Sequence, residues 1–167
     1  MRRIQLPESP TACFALGLLL LMPLPAAAQD VTEPALKAAF IYNFAKFTEW
    51  PTEVMPPAGP LVLCVLGDAA IGDALERVVR GRTLAGHSIG VSQADSAGPP
   101  REGCHVLYVS GVTASRAATL VAGLRDAPVL TISDLRGFTE LGGVAQFYFK
   151  AGQFAVARSG HRGSDDP

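Results

Sequence analysis

Three short apolar segments, each closed by a small residue and a polar one, constrain the fold of this chain most. The segments are LVLCVLGD (61–68), HVLYVSG (105–111) and PVLTISD (128–134). Runs of Val, Leu and Ile without regular polar alternation are typical of strands that are buried on both faces, as in parallel sheets. We therefore expect three central strands of one sheet.

Amphipathic helices separate these strands. Residues 71–82 place apolar side chains on one helical face and end at Gly81, a residue type that commonly follows a helix. A second helix of this kind follows the second strand. The alternation predicts an α/β fold with a mostly parallel sheet covered by helices on both faces. Residues 84–93 predict one more short strand, and residues 142–157 predict a C-terminal antiparallel hairpin that turns at residues 150–152.

The segment KAAFIYNFAKFTEWP (37–51) holds five aromatic rings. It predicts a helix that Thr32 or Asp30 caps and that ends at Trp50–Pro51, because a residue before proline avoids the helical region. Four large apolar side chains recur at i, i+4, i+8 and i+11, and we expect them to pack this aromatic N-terminal helix into the core: Leu36, Phe40, Phe44 and Phe47. Tyr42, Lys46 and Trp50 lie at the solvent margin, where they are candidates for contact with a partner.

The N-terminus has the pattern of an export signal. Two arginines precede an apolar run of 11 residues, and three alanines end at Ala28. The run is too short for the roughly 20 residues that cross a bilayer, so we expect cleavage of residues 1–28 and no stable membrane insertion afterwards, a retained anchor being the alternative. Residues 29–157 then form one α/β domain, and the polar tail, residues 158–167, is expected to be disordered.

Two cysteines remain after the expected cleavage, Cys64 and Cys104. An even number in an exported chain favours one disulfide bond, although both residues lie in apolar segments and two buried thiols on neighbouring strands are the alternative. The scattered histidines do not give these cysteines the spacing of a metal site. We expect no metal ion and no cofactor.

Polar residues follow all three central strands: Asp68, Ser110 and Asp134. Ligands of open α/β sheets bind beyond the carboxyl ends of the strands, so these residues could line a ligand crevice. The alternative is that they cap the following turns and helices, which these residue types commonly do.

No signature of catalysis or of nucleic-acid binding is present in the sequence. The chain has no phosphate-binding glycine loop and no nucleophile elbow, and its histidines are isolated. The formal net charge is −1, and basic residues are not clustered, which argues against DNA or RNA as a partner. A hydrolase would need a nucleophile and a base in contact, so we expect a binding protein and no catalytic residues.

The combination of YNFAKFTEWP, PLVLCVLGD, GCHVLYVSG, APVLTISD and GGVAQFYF resembles the YfiR family of periplasmic proteins, from about Leu36 to Phe149. The resemblance implies an α/β fold, frequent dimerisation and no catalysis. It also implies repression of a YfiN-type diguanylate cyclase of the inner membrane through its periplasmic sensor region, in a system that responds to redox conditions. Cys64 and Cys104 are placed similarly to a disulfide pair of the family.

The sequence departs from the family after Phe154. Family members continue with a strand and an apolar helix, whereas this chain continues with QFAVARSGHRGSDDP. An altered reading frame would explain the change. We expect a periplasmic repressor of a diguanylate cyclase, forming a homodimer, and the alternative is a periplasmic module that binds a small ligand for another sensory system.

Overall fold

A computed structural model describes residues 31–94, 103–150 and 153–160. The expected signal peptide, the hairpin residues 151–152 and the tail residues 161–167 lie outside the described residues. The expectation that residues 158–167 are disordered is therefore not tested over most of its length. Residues 158–160 end the last strand and form a turn.

Seven strands form one mixed sheet, and the expected α/β fold is confirmed. In chain order the elements are α1 (Glu33–Lys46), β1 (Leu61–Leu66), α2 (Ala69–Val79), β2 (Thr83–Leu84), β3 (His87–Gln93), β4 (Val106–Val109), α3 (Ala114–Gly123), β5 (Leu130–Ser133), β6 (Ala145–Lys150) and β7 (Gln153–Arg158). The strand order is β2-β3-β1-β4-β5-β6-β7. The five strands β3, β1, β4, β5 and β6 are parallel, and β2 and β7 are antiparallel edge strands.

Both faces of the central strands are buried, as the apolar runs predict. Alternate residues of a strand point to opposite faces, so Leu61, Leu63 and Val65 join a core that also contains side chains of α1 and α2. Cys64 and Leu66 join a separate cluster with residues of α3 on the opposite face. The chain therefore has two apolar layers with the sheet between them.

The segment 84–93 is not one strand, as the sequence predicts, but a tight hairpin of β2 and β3. Leu84 pairs with His87, and the two residues between them turn the chain with positive φ angles, 50° at Ala85 and 88° at Gly86. Two-residue hairpins need this backbone, which glycine adopts easily and alanine rarely. Because alanine stands at the first turn position, the sequence gives little sign of the turn.

Helix α1 differs from its predicted packing in two respects. It ends at Lys46 and not at Trp50, and its buried line consists of Ala38, Ile41 and Ala45. Phe47 was expected in the core, but its side chain is 80% exposed. The reason is its position after the last helical turn, where φ is −103° and ψ is 8°, so that the helical spacing no longer directs its ring inward.

Phe40 and Phe44 are half-buried and lie at the flank of α1, where their rings meet the terminal hairpin. The ring of Phe40 lies 4.8 Å from that of Phe154 and 6.2 Å from that of Phe147, and Phe44 also contacts Phe147. The rings therefore form a cluster between α1 and the β6–β7 hairpin. The predicted packing role holds for Phe40 and Phe44 but is wrong for Phe47.

Candidate functional site

A buried ammonium group joins helix α1 to the end of β5. The Nζ of Lys37 lies 2.6 Å from the Oδ2 of Asp134 and 2.6 Å from the Oε1 of Glu33, and the Lys37 side chain is only 9% exposed. Burial alone lowers the pKa of Lys37, but hydrogen bonds to Asp134 and then to Glu33 raise it, and the net effect is an increase. Lys37 therefore remains charged and holds two carboxylates at one place.

A cavity of about 330 Å³ opens beside this ion cluster, between the start of α1 and the terminal hairpin. One part of its wall is charged, with Arg136 beside the two carboxylates and Lys37. The other part is aromatic: Phe147, Phe149 and Phe154. A wall that combines charges of both signs with aromatic rings suits a small amphipathic molecule better than a metal ion or a lipid chain.

The hydroxyl of Tyr108 lies buried in the core below this region. It is the single buried side-chain polar atom in the described part of the chain that has no hydrogen-bond partner. Burial raises the pKa of Tyr108 well above its ordinary value, and the nearby carboxylate of Asp134, towards which the hydroxyl can donate a hydrogen bond, raises it further, as do the charges of Asp68 and Glu33. Tyr108 itself does not line the cavity, and Asp134 is the residue that connects the two.

Two of the three predicted crevice residues meet each other. The backbone N–H of Asp68 donates to the Oγ of Ser110 over 3.0 Å, and that hydroxyl lies 3.4 Å from the carbonyl oxygen of Leu66. The carboxylate of Asp68 accepts from the N–H of Ala70 and so caps α2. Asp68 and Ser110 are thus engaged in structural bonds, whereas Asp134 faces Lys37 and the cavity.

The chain approaches itself closely at this junction. Gly67 has φ +105°, and a Cβ atom there would lie 2.1 Å from the carbonyl oxygen of Ser110. Only glycine fits a backbone of this conformation at this distance. The contact fixes the ends of β1 and β4 against each other.

The three predicted partner-contact residues are spread around the opposite end of the domain. Lys46 is exposed, and its Nζ lies 5.7 Å from the centre of the Phe47 ring. Tyr42 is half-buried, with the guanidinium of Arg82 5.4 Å from its ring. Trp50 is half-buried and meets the ring of His105 edge-on at 5.8 Å. Among the aromatic rings at this end of the domain, that of Phe47 is the most exposed.

His105 fixes the segment that carries Trp50. Its Nδ1 accepts a hydrogen bond of 3.1 Å from the N–H of Val62, so the proton resides on Nε2, which lies 3.4 Å from the carbonyl oxygen of Val54. His105 is buried, and both its ring nitrogens serve the backbone. The role of this histidine is structural.

Cys64 and Cys104 form a disulfide bond across 40 residues, so the bridge that the sequence favours is confirmed over two free thiols. Both sulfurs are buried in the layer on the α3 side of the sheet. The bond connects β1 to the residue that stands just before His105 and β4. It therefore links β1 covalently to the segment that leads into His105, whose ring contacts Trp50.

Sequence reasoning missed Lys37, Tyr108 and Arg136. Glu33 and Lys37 stand at i and i+4, the spacing of a helical ion pair, which is the one local signal of the cluster. The link from Lys37 to Asp134 joins residues that are 97 positions apart and has no local signal. Tyr108 stands inside an apolar strand, where a sequence gives no sign that its hydroxyl is unpartnered.

No described helix has the length and apolar character that a membrane crossing requires. Within residues 31–94, 103–150 and 153–160, no group of three or more histidine, cysteine or acidic side chains is arranged to hold a metal ion. The sequence matches the family model described as YfiR/HmsC-like over residues 34–157, so the expectation that the resemblance ends at Phe154 is wrong by a few residues, and β7 still belongs to the match almost to its end. No curated protein matches the chain.

Proposed function

The chain belongs to the YfiR/HmsC-like family, and on this basis we propose that it is a periplasmic regulator that represses a membrane-bound diguanylate cyclase of YfiN type. The observation that carries the proposal is the extent of the family match, which includes every described helix and strand except the first residue of α1 and the last residue of β7. It acts by binding the periplasmic sensor region of the cyclase and catalyses no reaction. A homodimer is the assembly we propose for it.

The end of the domain that carries Lys46, Phe47 and Trp50 supports a binding role. The exposed ring provides apolar area of the kind that is enriched in interface cores, and the lysine beside it provides a charge of the kind found at their polar rims. Tyr42 and Arg82 extend the patch on the adjoining surface. We propose this patch as the surface that contacts the sensor region.

Coexpression with the diguanylate cyclase encoded nearest in the same genome tests the proposal. Repression predicts a lower cyclic di-GMP level with the chain than without it, and copurification of the cyclase with the chain. Phe47→Glu should abolish both effects, while Ser115→Glu, an exposed change at the start of α3, should leave them unchanged. Equal cyclic di-GMP levels with and without the chain would reject the proposal.

The disulfide supports a redox-dependent form of this regulation. Loss of the bridge would remove the covalent link between β1 and the residue before His105, whose ring contacts Trp50 of the proposed contact patch. The paired change Cys64→Ser and Cys104→Ser tests this. If the pair represses equally well under oxidising and reducing conditions, and as well as the wild type, the disulfide has no regulatory role.

A small-ligand binding module of another sensory system is the second candidate. The cavity beside Lys37 and Asp134 favours it. Thermal-shift screening distinguishes the two candidates, because a ligand of the folded state raises the melting temperature. A stabilising ligand whose effect disappears in Asp134→Asn would support the cavity, and repression without any ligand would support the first candidate.

A further inference from the structure

Strand β7 is an unusually open edge. Within the described residues it pairs with β6 alone, so one side of its backbone has no strand partner. The opposite edge strand, β2, has only two residues, and short edges resist pairing. In contrast, β7 has six residues, contains no proline, and its four central residues, FAVA, carry no charge. Such an edge is suited to receive another strand.

The pairing of β7 with β6 shows which side chains share a face. Phe154 lies opposite Phe149, Val156 opposite Phe147, and Arg158 opposite Ala145. Directly opposed residues of antiparallel strands point to the same face, so Phe154, Val156 and Arg158 all lie on the face that α1 covers. The other face of β7 carries the two alanines at positions 155 and 157.

This face of the edge is apolar and only half covered. Phe154 and Val156 are half-buried, and Phe149, whose ring lies 5.6 Å from that of Phe154, is 57% exposed. Phe40 and Phe44 of α1 continue the aromatic surface inward from β7. An open edge and a half-covered aromatic surface at the same place point to one occupant that satisfies both.

We propose that β7 pairs antiparallel with β7 of a second copy of this chain, around a two-fold axis that passes beside Val156. An axis perpendicular to the sheet keeps the α1 faces of both copies on the same side, so residues of that face must oppose each other. Val156 then faces Val156 of the partner subunit, and Phe154 faces Arg158 of the partner subunit. The two sheets become one.

The charge of Arg158 selects this register. A guanidinium opposite an aromatic ring gains a cation–π contact, which the symmetry forms twice, and the two arginines stand at opposite ends of the pair and do not repel. In the neighbouring register, with Ala155 at the axis, Phe154 would face Val156 and Arg158 would have no residue of β7 opposite it. On the other face, Ala155 meets Ala157 of the partner subunit in the proposed register, whereas in the neighbouring register Ala157 would face Gln153.

Cysteine cross-linking of the full chain tests the pairing without any cyclase, so its outcome is independent of the proposed repressor function. Val156→Cys should form a covalent dimer under mild oxidation, seen on a non-reducing gel, whereas Ala155→Cys should cross-link at least about tenfold more slowly because that position does not face itself. The wild-type chain, treated in the same way, shows any cross-linking that arises from Cys13, Cys64 and Cys104. Preferential cross-linking of Ala155→Cys, or of neither variant, would overturn the proposal.

A charge change provides a second test that leaves the fold of the protomer intact, since Arg158 is exposed. Light scattering at about 100 μM protein, far above micromolar dissociation constants, should give the mass of a dimer. Arg158→Glu should weaken dimerisation about tenfold, and Arg158→Lys should weaken it less. A wild-type mass of one protomer at this concentration, or an unchanged dimer in Arg158→Glu, would overturn the proposed interface.

Discussion

Lys37 and Asp134 hold the first helix to the end of the fifth strand through a contact of 2.6 Å between residues that are 97 positions apart. The aromatic cluster packs the flank of α1 against the terminal hairpin, and this ion pair fixes the start of the helix. The result is a helix with two different attachments, an ionic one at its start and an aromatic one along its flank.

Asp134→Asn should destabilise the fold, because it leaves the buried ammonium of Lys37 with Glu33 as its only carboxylate partner. Asp134 itself is 32% exposed, so solvent screens the pair and the expected loss is about 1–2 kcal/mol, less than for a fully buried pair. Urea unfolding measures the change. Asp126→Asn, at an exposed position after α3, is the matched control and should be neutral. An unchanged midpoint in Asp134→Asn would contradict this role.

Stability should fall at alkaline pH. The pKa of Lys37 is raised above 10.5 in the folded state, so its contribution is complete below that value and is lost as the pH rises through the folded pKa. The raised pKa of Tyr108 acts in the same direction from about pH 10, since the unfolded tyrosine ionises first. Melting temperatures between pH 8 and 11, compared with those of Lys37→Met, should show a shallower decline in the variant.

Tyr108→Phe should be neutral or stabilise the protein by up to about 1 kcal/mol. The change removes a buried hydroxyl that has no hydrogen-bond partner and leaves the apolar ring in place. Calorimetry of the purified chain measures the effect. A clear loss of stability would show that the hydroxyl has a partner in solution, such as an ordered water or a ligand of the adjacent cavity.

Removal of the disulfide through Cys64→Ala and Cys104→Ala should lower the free energy of unfolding by about 2–4 kcal/mol. The bond closes a segment of 40 residues, and in the chain-entropy view a closed loop restricts the unfolded state. Urea unfolding of the variant, beside the wild type with and without a reductant, measures the loss. A reduced wild type that matches the oxidised one would contradict the prediction.

Gly67→Ala should cost about 3 kcal/mol or more, because the new Cβ would overlap the backbone of Ser110 and the residue would also have a positive φ. Gly81→Ala separates the two effects. Gly81 also has a positive φ, of +69°, but a Cβ there meets no atom within 4 Å, so only the conformational cost of about 1 kcal/mol remains. Equal losses in the two variants would show that the close approach is unimportant.

The central strands could be predicted from the sequence to within a few residues. Their signal is local, since a strand buried on both faces is usually apolar at consecutive positions, as β1 and β4 are, while β5 adds Thr131 and Ser133 to its apolar residues. The caps of Thr32 and Asp68 are equally local, and the structure confirms both. Local patterns therefore account for the order and type of most elements.

The cavity could be predicted only through one residue, Asp134. From the sequence alone, Lys37 would be expected on the exposed surface of a helix, because a lysine is rarely buried without a partner. It is buried here because the fold brings Asp134, at the end of β5, within ion-pair distance. Phe47 shows the opposite error. Its spacing places it in the core, but the helix ends one residue earlier. Both errors arise where tertiary contacts or a helix terminus decide the position of a side chain.

The bond between Cys64 and Cys104 has a further consequence for the fate of the chain after damage. Any single proteolytic cut between these residues, a stretch that contains α2, β2 and β3, leaves the two fragments covalently joined. A nicked molecule would therefore migrate as one species until it is reduced, and it would retain all its strands in one particle. After a cut outside this stretch, only noncovalent contacts hold the fragment to the rest of the domain, so the bridge protects the segment between the two cysteines and neither terminus.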